Sequence, residues 1–391
     1  MSRKNYYIIT FIIILCAFTS VQAQFRKYSN EFLNIGAGAR GLAMGGAQIA
    51  SVEDATAGYW NPAALANVQN EPSLSIMHAD YFAGIGKYEF AGIAIPTNNK
   101  NHTLGFTAIR FAVDDIPNTL YLVNPDGSID YNNISSFSSA DYAFLFSYAQ
   151  KSTWENGQLN IGGNAKVIYR KVGSFASAWG FGFDAGAQLI KGRWRFGAVL
   201  KDITTTFNAW SFNFSDPDKQ KLYLTNNDIP VTSVELTAPH LTIGAGYEFK
   251  LSQKVSLLAE SNLALNFDGK RNNIISTNYF NIDPNVGLEA NFNKVFYLRA
   301  GIGNFQQALR DGDTTNQKKI WIFQPSIGAG INFGNLSIDY AFSNLANQSS
   351  PLYSHIFSLK INFVKSSKKT PLTRTPKVEK VGKTSRRSRA F

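Results

Sequence analysis

The stretch Phe32–Ala66, FLNIGAGARGLAMGGAQIASVEDATAGYWNPAALA, determines how the rest of the chain is interpreted. It is rich in Gly and Ala and contains too few large apolar residues to form a core of its own. Small side chains allow backbones to approach closely, so this segment is suited to folding inside another structure. We interpret it as a plug, or hatch, and the chain that follows it as the wall of a membrane barrel.

The first 23 residues have the three parts of a secretory signal. Arg3 and Lys4 give a positive start, Tyr6–Phe18 is nearly unbroken apolar, and small residues around Ala23 form a cleavage site. We therefore predict a signal peptide, with a retained membrane anchor as the alternative. The single cysteine, Cys16, lies within this segment, so the processed chain is predicted to have no disulfide and no cysteine metal ligand.

The net charge of +11 is concentrated at the two ends of the chain. Residues 365–391 carry ten Lys and Arg against one acid, Glu379, whereas residues 24–364 have no net charge. A basic face for nucleic acid is therefore not supported. Aromatic residues make up 14% of the chain and charged residues only 17%, against about 25% charged residues in an average soluble domain. This balance favours a barrel that faces lipid.

From Pro72 onward, apolar residues alternate with polar residues or glycine. In 241–250, Leu, Ile, Ala, Tyr and Phe alternate with Thr, Gly, Glu and Lys; 357–363 is as regular. This is the pattern of a wall between lipid and a lumen. A soluble β-sandwich also alternates, but its strands usually run about 5–6 residues, and many segments here approach the roughly ten residues that a tilted strand needs to cross a bilayer.

About fourteen such segments follow one another, an even number as expected for a single-chain bacterial barrel. They begin near Leu74, Tyr88, Thr103, Ala140, Leu159, Ala178, Arg193, Leu241, Val255, Asn285, Val295, Ile320, Leu336 and His355. Gaps after odd-numbered strands are often long, and gaps after even-numbered strands are tight. In outer-membrane barrels the short turns are periplasmic. We predict an all-β, 14-stranded antiparallel transmembrane barrel over 72–364, a hatch over 24–71, and both termini in the periplasm of a Gram-negative bacterium.

The third strand changes its apolar phase partway along. Leu104, Phe106 and Ala108 share one phase, whereas Ile109, Phe111 and Val113 share the other. A change of phase within a strand indicates a bulge or kink near Thr107–Ala108. It is either a harmless irregularity or a gap in the wall, so Thr107 and Ala108 are the candidate lateral opening.

The hatch also contains the motif Trp60-Asn61-Pro62-Ala63. Asn61 is a good N-cap and Pro62 a good first helical residue, so a short helix over Pro62–Asn67 is predicted. An Asn-Pro-Ala in a small N-terminal segment ahead of about fourteen strands resembles the FadL-like outer-membrane barrels. The run LNIGAGARGLAMGG followed by WNPA more specifically resembles the PorV/PorQ family of the Bacteroidetes type IX secretion system.

The resemblance implies that the N-terminal hatch fills the barrel and that a kinked third strand opens the wall laterally. It further implies, for PorV-like members, an accessory role in protein secretion with the translocon barrel and its secreted cargo as partners. The long basic C-terminal segment departs from a plain barrel of this kind.

Other motifs have ordinary explanations. Gly36, Gly38 and Gly41 satisfy G-x-G-x-x-G, but no parallel βαβ unit follows, so tight hatch packing is the preferred interpretation. The four histidines are scattered and form no zinc-ligand set. The sequence has no nucleophile motif. We therefore predict no catalytic activity, no metal and no cofactor.

Two regions are candidate partner-binding surfaces. The long loop 207–234 carries Trp210, Phe212, Phe214 and Tyr223, which either bind a partner outside the cell or pack over the barrel mouth. The basic tail 365–391 should be disordered when alone. It is either simply solvated or docks to an acidic periplasmic partner or cell-wall carboxylates through residues that include Lys368, Lys369, Arg386, Arg387 and Arg389.

Two functions follow from this sequence. The first is a PorV-like accessory barrel of type IX secretion, embedded in outer-membrane lipid and engaging protein partners. The alternative is a FadL-like channel for hydrophobic small molecules. A transporter predicts an apolar pocket between hatch and wall, whereas a plugged scaffold predicts tight filling there.

Overall fold

The computed structural model describes residues 29–68, 71–98, 101–124, 126–309, 318–343 and 353–363. The predicted signal peptide and the basic tail, with Lys368, Lys369, Arg386, Arg387 and Arg389, lie outside these ranges. The described part of the hatch prediction is therefore 29–68 together with Glu71.

The described residues form one antiparallel sheet of seventeen β-strands. They are β1 (Ser73–Tyr81), β2 (Gly86–Pro96), β3 (His102–Asn118), β4 (Ser135–Trp154), β5 (Gly157–Val172), β6 (Ala176–Lys191), β7 (Trp194–Lys201), β8 (Thr206–Phe212), β9 (Ser233–Thr237), β10 (His240–Lys250), β11 (Val255–Asn266), β12 (Ile275–Ser276), β13 (Asn281–Phe292), β14 (Phe296–Leu309), β15 (Lys319–Asn332), β16 (Leu336–Ser343) and β17 (Ser354–Asn362).

The described helices are all short. They are α1 (Ala39–Ala43), α2 (Ala57–Trp60) and α3 (Asp216–Leu224), and the 3-10 helices Glu31–Leu33, Pro62–Asn67 and Tyr131–Asn133. None of them is long and apolar enough to cross a membrane.

The sheet closes into a barrel of fourteen wall strands, because β17 pairs with β1. Two wall strands consist of two segments each. β7 and β8 both pair with β6, β9 pairs with β8, and β10 pairs with β7. β12 is a short strand in the loop before β13. The predicted fold class and number of wall strands are confirmed.

The two ends of the barrel differ in the length of their connections. At one end, the turn end, strands are joined by tight turns such as 155–156 and 192–193. At the other, the loop end, the longest connections include 119–134 and 213–232. This is the asymmetry expected from the sequence.

Side chains alternate between the outside of the wall and the lumen, as a strand requires. On β6, Trp179, Phe181 and Phe183 are about half exposed and face outward. Asp184 and Gln188 face inward and are buried. An apolar outer face and a polar inner face are what a lipid-embedded wall needs.

An aromatic row marks the edge of the apolar band near the loop end. Following the register around the wall, its members are Tyr340, Phe357, His78, Glu89, Arg110, Tyr142, Tyr169 and Trp179. The three polar members lie on β1, β2 and β3, where Glu89 pairs with Arg110 at 3.0 Å. One step toward the turn end, the outward residues on these strands are Ile76, Ala91 and Ala108. Aromatic girdles of this kind flank the lipid-facing band of a barrel.

Candidate functional site

Residues 29–68, called the hatch from here on, lie inside the barrel. The Pro62–Asn67 helix contacts β3 to β6, and α1 contacts β14 to β17 on the opposite side of the lumen. Small side chains allow this fit, since many hatch alanines have no exposed surface: Ala37, Ala39, Ala43, Ala47, Ala50, Ala57, Ala63 and Ala64. The Gly- and Ala-rich composition is thus explained by packing against a surrounding wall.

Asn61 holds the hatch to the wall. Its Oδ1 accepts a hydrogen bond from the backbone nitrogen of Ala63 at 3.2 Å and so caps the helix that Pro62 begins. Its Nδ2 donates to the carbonyl oxygens of Ile49 in the hatch and Ala187 on β6, both at 3.1 Å. The side chain is fully buried. Asn61 therefore joins two parts of the hatch and one wall strand.

Trp60, the preceding motif residue, fixes the hatch internally. Its indole Nε1 donates to the carbonyl oxygen of Ala37 at 2.7 Å. Its ring packs edge-on against Tyr59, with ring centroids 5.1 Å apart. Gly41 leaves room for the indole, because a β-carbon there would lie 2.7 Å from the ring.

Inward-facing glycines of the wall lie where the hatch backbone approaches most closely. A β-carbon at Gly162 would lie 2.7 Å from the backbone nitrogen of Ala63. One at Gly197 would lie 2.6 Å from the carbonyl oxygen of Ile49. Real β-carbons do not come this close to backbone atoms, so only glycine fits at these positions.

An ion network joins the hatch to the opposite wall. Arg40 donates to Glu289 on β13 through Nε (2.8 Å) and Nη2 (3.1 Å). Arg299 donates to the same carboxylate at 2.7 Å and to Asp339 at 2.6 Å. Arg40 also donates to the Ser51 hydroxyl at 3.2 Å. Burial acts to lower the pKa of the Arg40 guanidinium, but Glu289, with smaller contributions from Glu53 and Glu260, holds that pKa above its ordinary value.

Polar side chains of the wall form hydrogen bonds with buried backbone groups of the hatch. Asn164 donates to the Gly58 carbonyl oxygen at 2.8 Å. Gln188 donates to the Ala50 carbonyl oxygen at 2.9 Å, and Glu260 accepts from the Ala50 nitrogen at 2.8 Å. A segment with little regular secondary structure needs such partners inside a barrel, because most of its buried peptide groups are not hydrogen-bonded within a helix or a sheet. The sequence shows these residues only as the polar members of an alternating pattern.

The predicted bulge near Thr107–Ala108 is wrong. Thr107 pairs with Gly92 and Leu145, and Ala108 pairs with Ala91 and Phe144, so β3 is hydrogen-bonded without interruption at this point. The register shift in β3 comes later, between Val113 and Ile116. The apolar phase changes for another reason. Ile109 and Phe111 face inward, where the lumen is apolar.

The wall is instead irregular between β7 and β8, and opposite them between β9 and β10. Lys201 pairs with His240, and the next paired residues are Thr206 and Thr237. Residues 202–205 and 238–239 are thus left out of the ladder. Sequence reasoning missed this irregularity, for which Pro239 was the available signal, since proline cannot donate to a ladder.

A buried ionic cluster closes the irregular part of the wall. Lys166 Nζ lies 2.7 Å from Asp184 and 2.5 Å from Asp202. Asp202 also accepts a hydrogen bond from the hydroxyl of Thr206. All four side chains are buried. The sequence does not identify this cluster, because its residues come from β5, β6, β8 and the link after β7, which are separated along the chain.

The loop aromatics mostly contact one another. Trp210, Phe212 and Phe214 stack in sequence, and Phe214 stacks on Phe175. Trp210 Nε1 also donates to Glu235 at 2.9 Å. Tyr223 differs, with 79% of its surface exposed. Partner binding by Trp210, Phe212 and Phe214 is therefore less favoured than packing at the barrel mouth, and partner binding by Tyr223 stays a prediction.

The described residues contain no group of three or more His, Cys, Asp or Glu arranged to hold a metal ion.

The inner wall has an apolar side, which we call the apolar wall. It consists of the inward residues of β1 to β4 toward the loop end: Met77, Ala79, Tyr81, Tyr88, Phe90, Ile109, Ala143 and Leu145. Phe32 and Tyr59 of the hatch belong to the same cluster, and Leu33 and Ile35 pack against it. On the other strands charged and polar residues such as Glu260 and Asn262 on β11 lie among the buried inward residues, and apolar ones such as Ile168 and Val199 are more scattered. Barrel interiors are ordinarily polar, so the apolar wall needs a separate explanation.

Two clefts lie between the hatch and the wall, and both are small. One, beside the irregular wall, is lined in part by Lys166, Lys201 and Asp202 and has a cavity volume of about 30 Å³. The other, lined in part by Arg40 and Asp339, has about 20 Å³. A cavity that binds benzene measures about 150 Å³. Neither cleft can therefore admit an aromatic ring in this conformation.

Comparison with known proteins gives the fold. No protein-family model matches the chain, and no curated protein matches it. Among solved structures, the chain is similar to the CymD monoaromatic hydrocarbon channel, with a TM-score of 0.50 and 13% identity over 84% of this chain and 98% of that one. It is also similar to the Pseudomonas putida toluene transporter TodX, with a TM-score of 0.50 and 11% identity over 85% of this chain and 99% of that one. These neighbours are FadL-family outer-membrane channels. At such low identity the likeness establishes a shared barrel fold.

Proposed function

We propose that this protein is an outer-membrane channel for small hydrophobic molecules, which its hatch closes in the conformation described above. The apolar wall is the observation that carries the proposal. A lumen that carried only water and ions would have no use for a buried apolar surface spread over four adjacent strands. The names of the two structural neighbours, a monoaromatic hydrocarbon channel and a toluene transporter, supply the class of molecule.

Passage requires the hatch to rearrange. The clefts of about 30 and 20 Å³ are too small for a ring, and Arg40 and Asn61 tie the hatch to opposite sides of the wall. The molecule is thus taken up at the loop end, held at the apolar wall, and released past the hatch when these contacts open.

Uptake of labelled toluene into proteoliposomes tests this proposal. We expect uptake above that of protein-free liposomes, reduced severalfold by Ile109→Thr, which puts a hydroxyl on the apolar wall. Val199→Thr is the matched control, since Val199 is a buried residue of β7 outside the apolar wall. Uptake equal to that of empty liposomes, or equal loss in the two variants, would contradict the proposal.

A second candidate is an accessory role in type IX protein secretion, as the PorV/PorQ resemblance of Phe32–Ala66 implies. The tight filling between hatch and wall favours it, because a scaffold needs no ligand pocket. Affinity purification from membranes followed by mass spectrometry tests it. Recovery of the large translocon barrel or of secreted cargo, together with no toluene uptake, would favour secretion over transport.

A further inference from the structure

Two tyrosines of the apolar wall, Tyr81 and Tyr88, pack ring against ring, and each has a buried hydroxyl group. Tyr81 ends β1 and Tyr88 lies near the start of β2, the next strand of the sheet. Their rings meet at right angles with centroids 6.0 Å apart. Tyr81 is 8% exposed, and Tyr88 has no exposed surface.

Neither hydroxyl has a hydrogen-bond partner among the described residues. Tyr59, in the same cluster, shows the usual arrangement. Its hydroxyl accepts from the Gly36 nitrogen at 2.8 Å and donates to the Leu33 carbonyl oxygen at 2.7 Å. A buried polar group without a partner is destabilising, so two in one apolar cluster call for a functional reason.

The surroundings of the two hydroxyls define what they could bind. The cluster that contains Tyr81 and Tyr88 is made of apolar and aromatic side chains, with the Phe111 ring 6.3 Å from that of Tyr88. A charged ligand would be desolvated here without a counter-ion. A neutral oxygen that both donates and accepts hydrogen bonds is complementary to two phenol groups.

We propose that the apolar wall binds uncharged hydrophobic molecules that carry one oxygen, such as phenols or alcohols, and prefers them to hydrocarbons of the same size. The ligand oxygen takes the hydrogen bonds of Tyr81 and Tyr88, while its apolar part replaces contacts that Phe32, Leu33 and Ile35 make with the cluster. This inference rests on the proposed channel function and names the class of molecule that the channel selects.

The preference follows from the cost of unpaired groups. A site built to hydrogen-bond a ligand hydroxyl discriminates strongly against the analogue that lacks it, because the polar groups of the site stay unpaired. p-Cresol and toluene are a suitable pair, since they differ only in one hydroxyl.

Equilibrium binding of p-cresol and toluene to the purified, refolded barrel tests the inference. We expect the ratio of p-cresol affinity to toluene affinity to fall about tenfold in Tyr81→Phe/Tyr88→Phe, because the p-cresol hydroxyl loses both of its hydrogen-bond partners. Tyr340→Phe is the control, because Tyr340 faces outward and its hydroxyl bonds His355 at 2.8 Å. Electrophoretic mobility before and after heating checks that each variant is folded.

The outcomes separate the two proposals. A ratio that falls in the double variant and not in Tyr340→Phe supports the inference. An unchanged ratio in the double variant, with toluene still bound, overturns the inference and leaves the channel function standing. Binding of neither molecule by the folded wild-type protein overturns both.

Discussion

Arg40 in the hatch and Glu289 on the wall form a two-bond ion pair, with Nε–Oε2 at 2.8 Å and Nη2–Oε1 at 3.1 Å. Parallel hydrogen bonds between guanidinium and carboxylate are both strong and directional. Both side chains are largely buried, at 17% and 11% exposed. The pair therefore fixes the position of α1 against β13 and is a main obstacle to displacement of the hatch.

Arg40→Met should destabilise the folded barrel by about 3 kcal/mol, because it leaves Glu289 buried with one cationic partner fewer. Arg195→Met is the matched control. Arg195 also links wall to hatch, through Glu53 at 3.3 Å, but the Glu53 side chain is 62% exposed. Its loss should cost less than about 1 kcal/mol. Urea unfolding in detergent measures the free energy of unfolding of both variants. Equal decreases would show that burial of the Arg40 pair is unimportant.

Gly162→Ala should destabilise the protein by about 1–3 kcal/mol through overpacking against the hatch backbone. Gly246→Ala is the control, because its β-carbon would meet nothing nearer than 3.6 Å; its effect should stay within about 0.5 kcal/mol. Thermal unfolding followed by circular dichroism compares them. If the two substitutions have the same effect, the close approach of Ala63 to Gly162 does not contribute to stability.

Asn61→Asp should be at least as harmful as Asn61→Ala. Aspartate keeps the acceptor that caps the Pro62–Asn67 helix, a contribution of about 1 kcal/mol. It loses the amide that donates to Ile49 and Ala187, and it buries a charge beside two carbonyl oxygens. Proteolysis of the hatch as a function of temperature measures the difference. If the hatch of Asn61→Asp resisted proteolysis as well as the wild-type hatch, Asn61 would act only as a helix cap.

Ile327→Arg and Val231→Arg distinguish lipid exposure from water exposure. Both side chains are exposed in the isolated chain, at 52% and 77%, but Ile327 faces outward near the middle of β15 and Val231 lies in a loop. Arginine at the lipid-facing site should cost about 2–4 kcal/mol, and arginine in the loop almost nothing. The yield of folded barrel in lipid vesicles reports the effect. Equal yields would count against a surrounding bilayer.

Periodicity predicts much of this fold because each strand needs only its own sequence to show two faces. The alternation in 241–250 places β10 correctly, and Asn61-Pro62 places the following helix. The bulge predicted at Thr107–Ala108 was wrong because the prediction assumed that inward residues are polar. Ile109 faces inward onto an apolar part of the hatch. The phase of apolar residues changed there while the backbone stayed regular.

The candidate site was less predictable, because its contacts join residues far apart in the chain. Arg40 and Glu289 are 249 positions apart, and no local pattern pairs them. Lys166 and Asp202 appear in the sequence as ordinary charges, and only the register of β5, β6 and β7 brings them together. The apolar wall was equally unpredictable, because alternation shows that β1 and β2 have two faces but does not show that Tyr81 and Tyr88 face inward.

Ion conductance of the purified protein in a planar lipid bilayer tests the central claim most directly, namely that a lipid-embedded barrel is closed by its own hatch. We expect insertion without steady conductance for the wild-type protein, and large, stable conductance steps when residues 29–68 are deleted. Steady pore-like conductance of the wild-type protein, or failure of the deletion variant to conduct although it inserts, would contradict the claim.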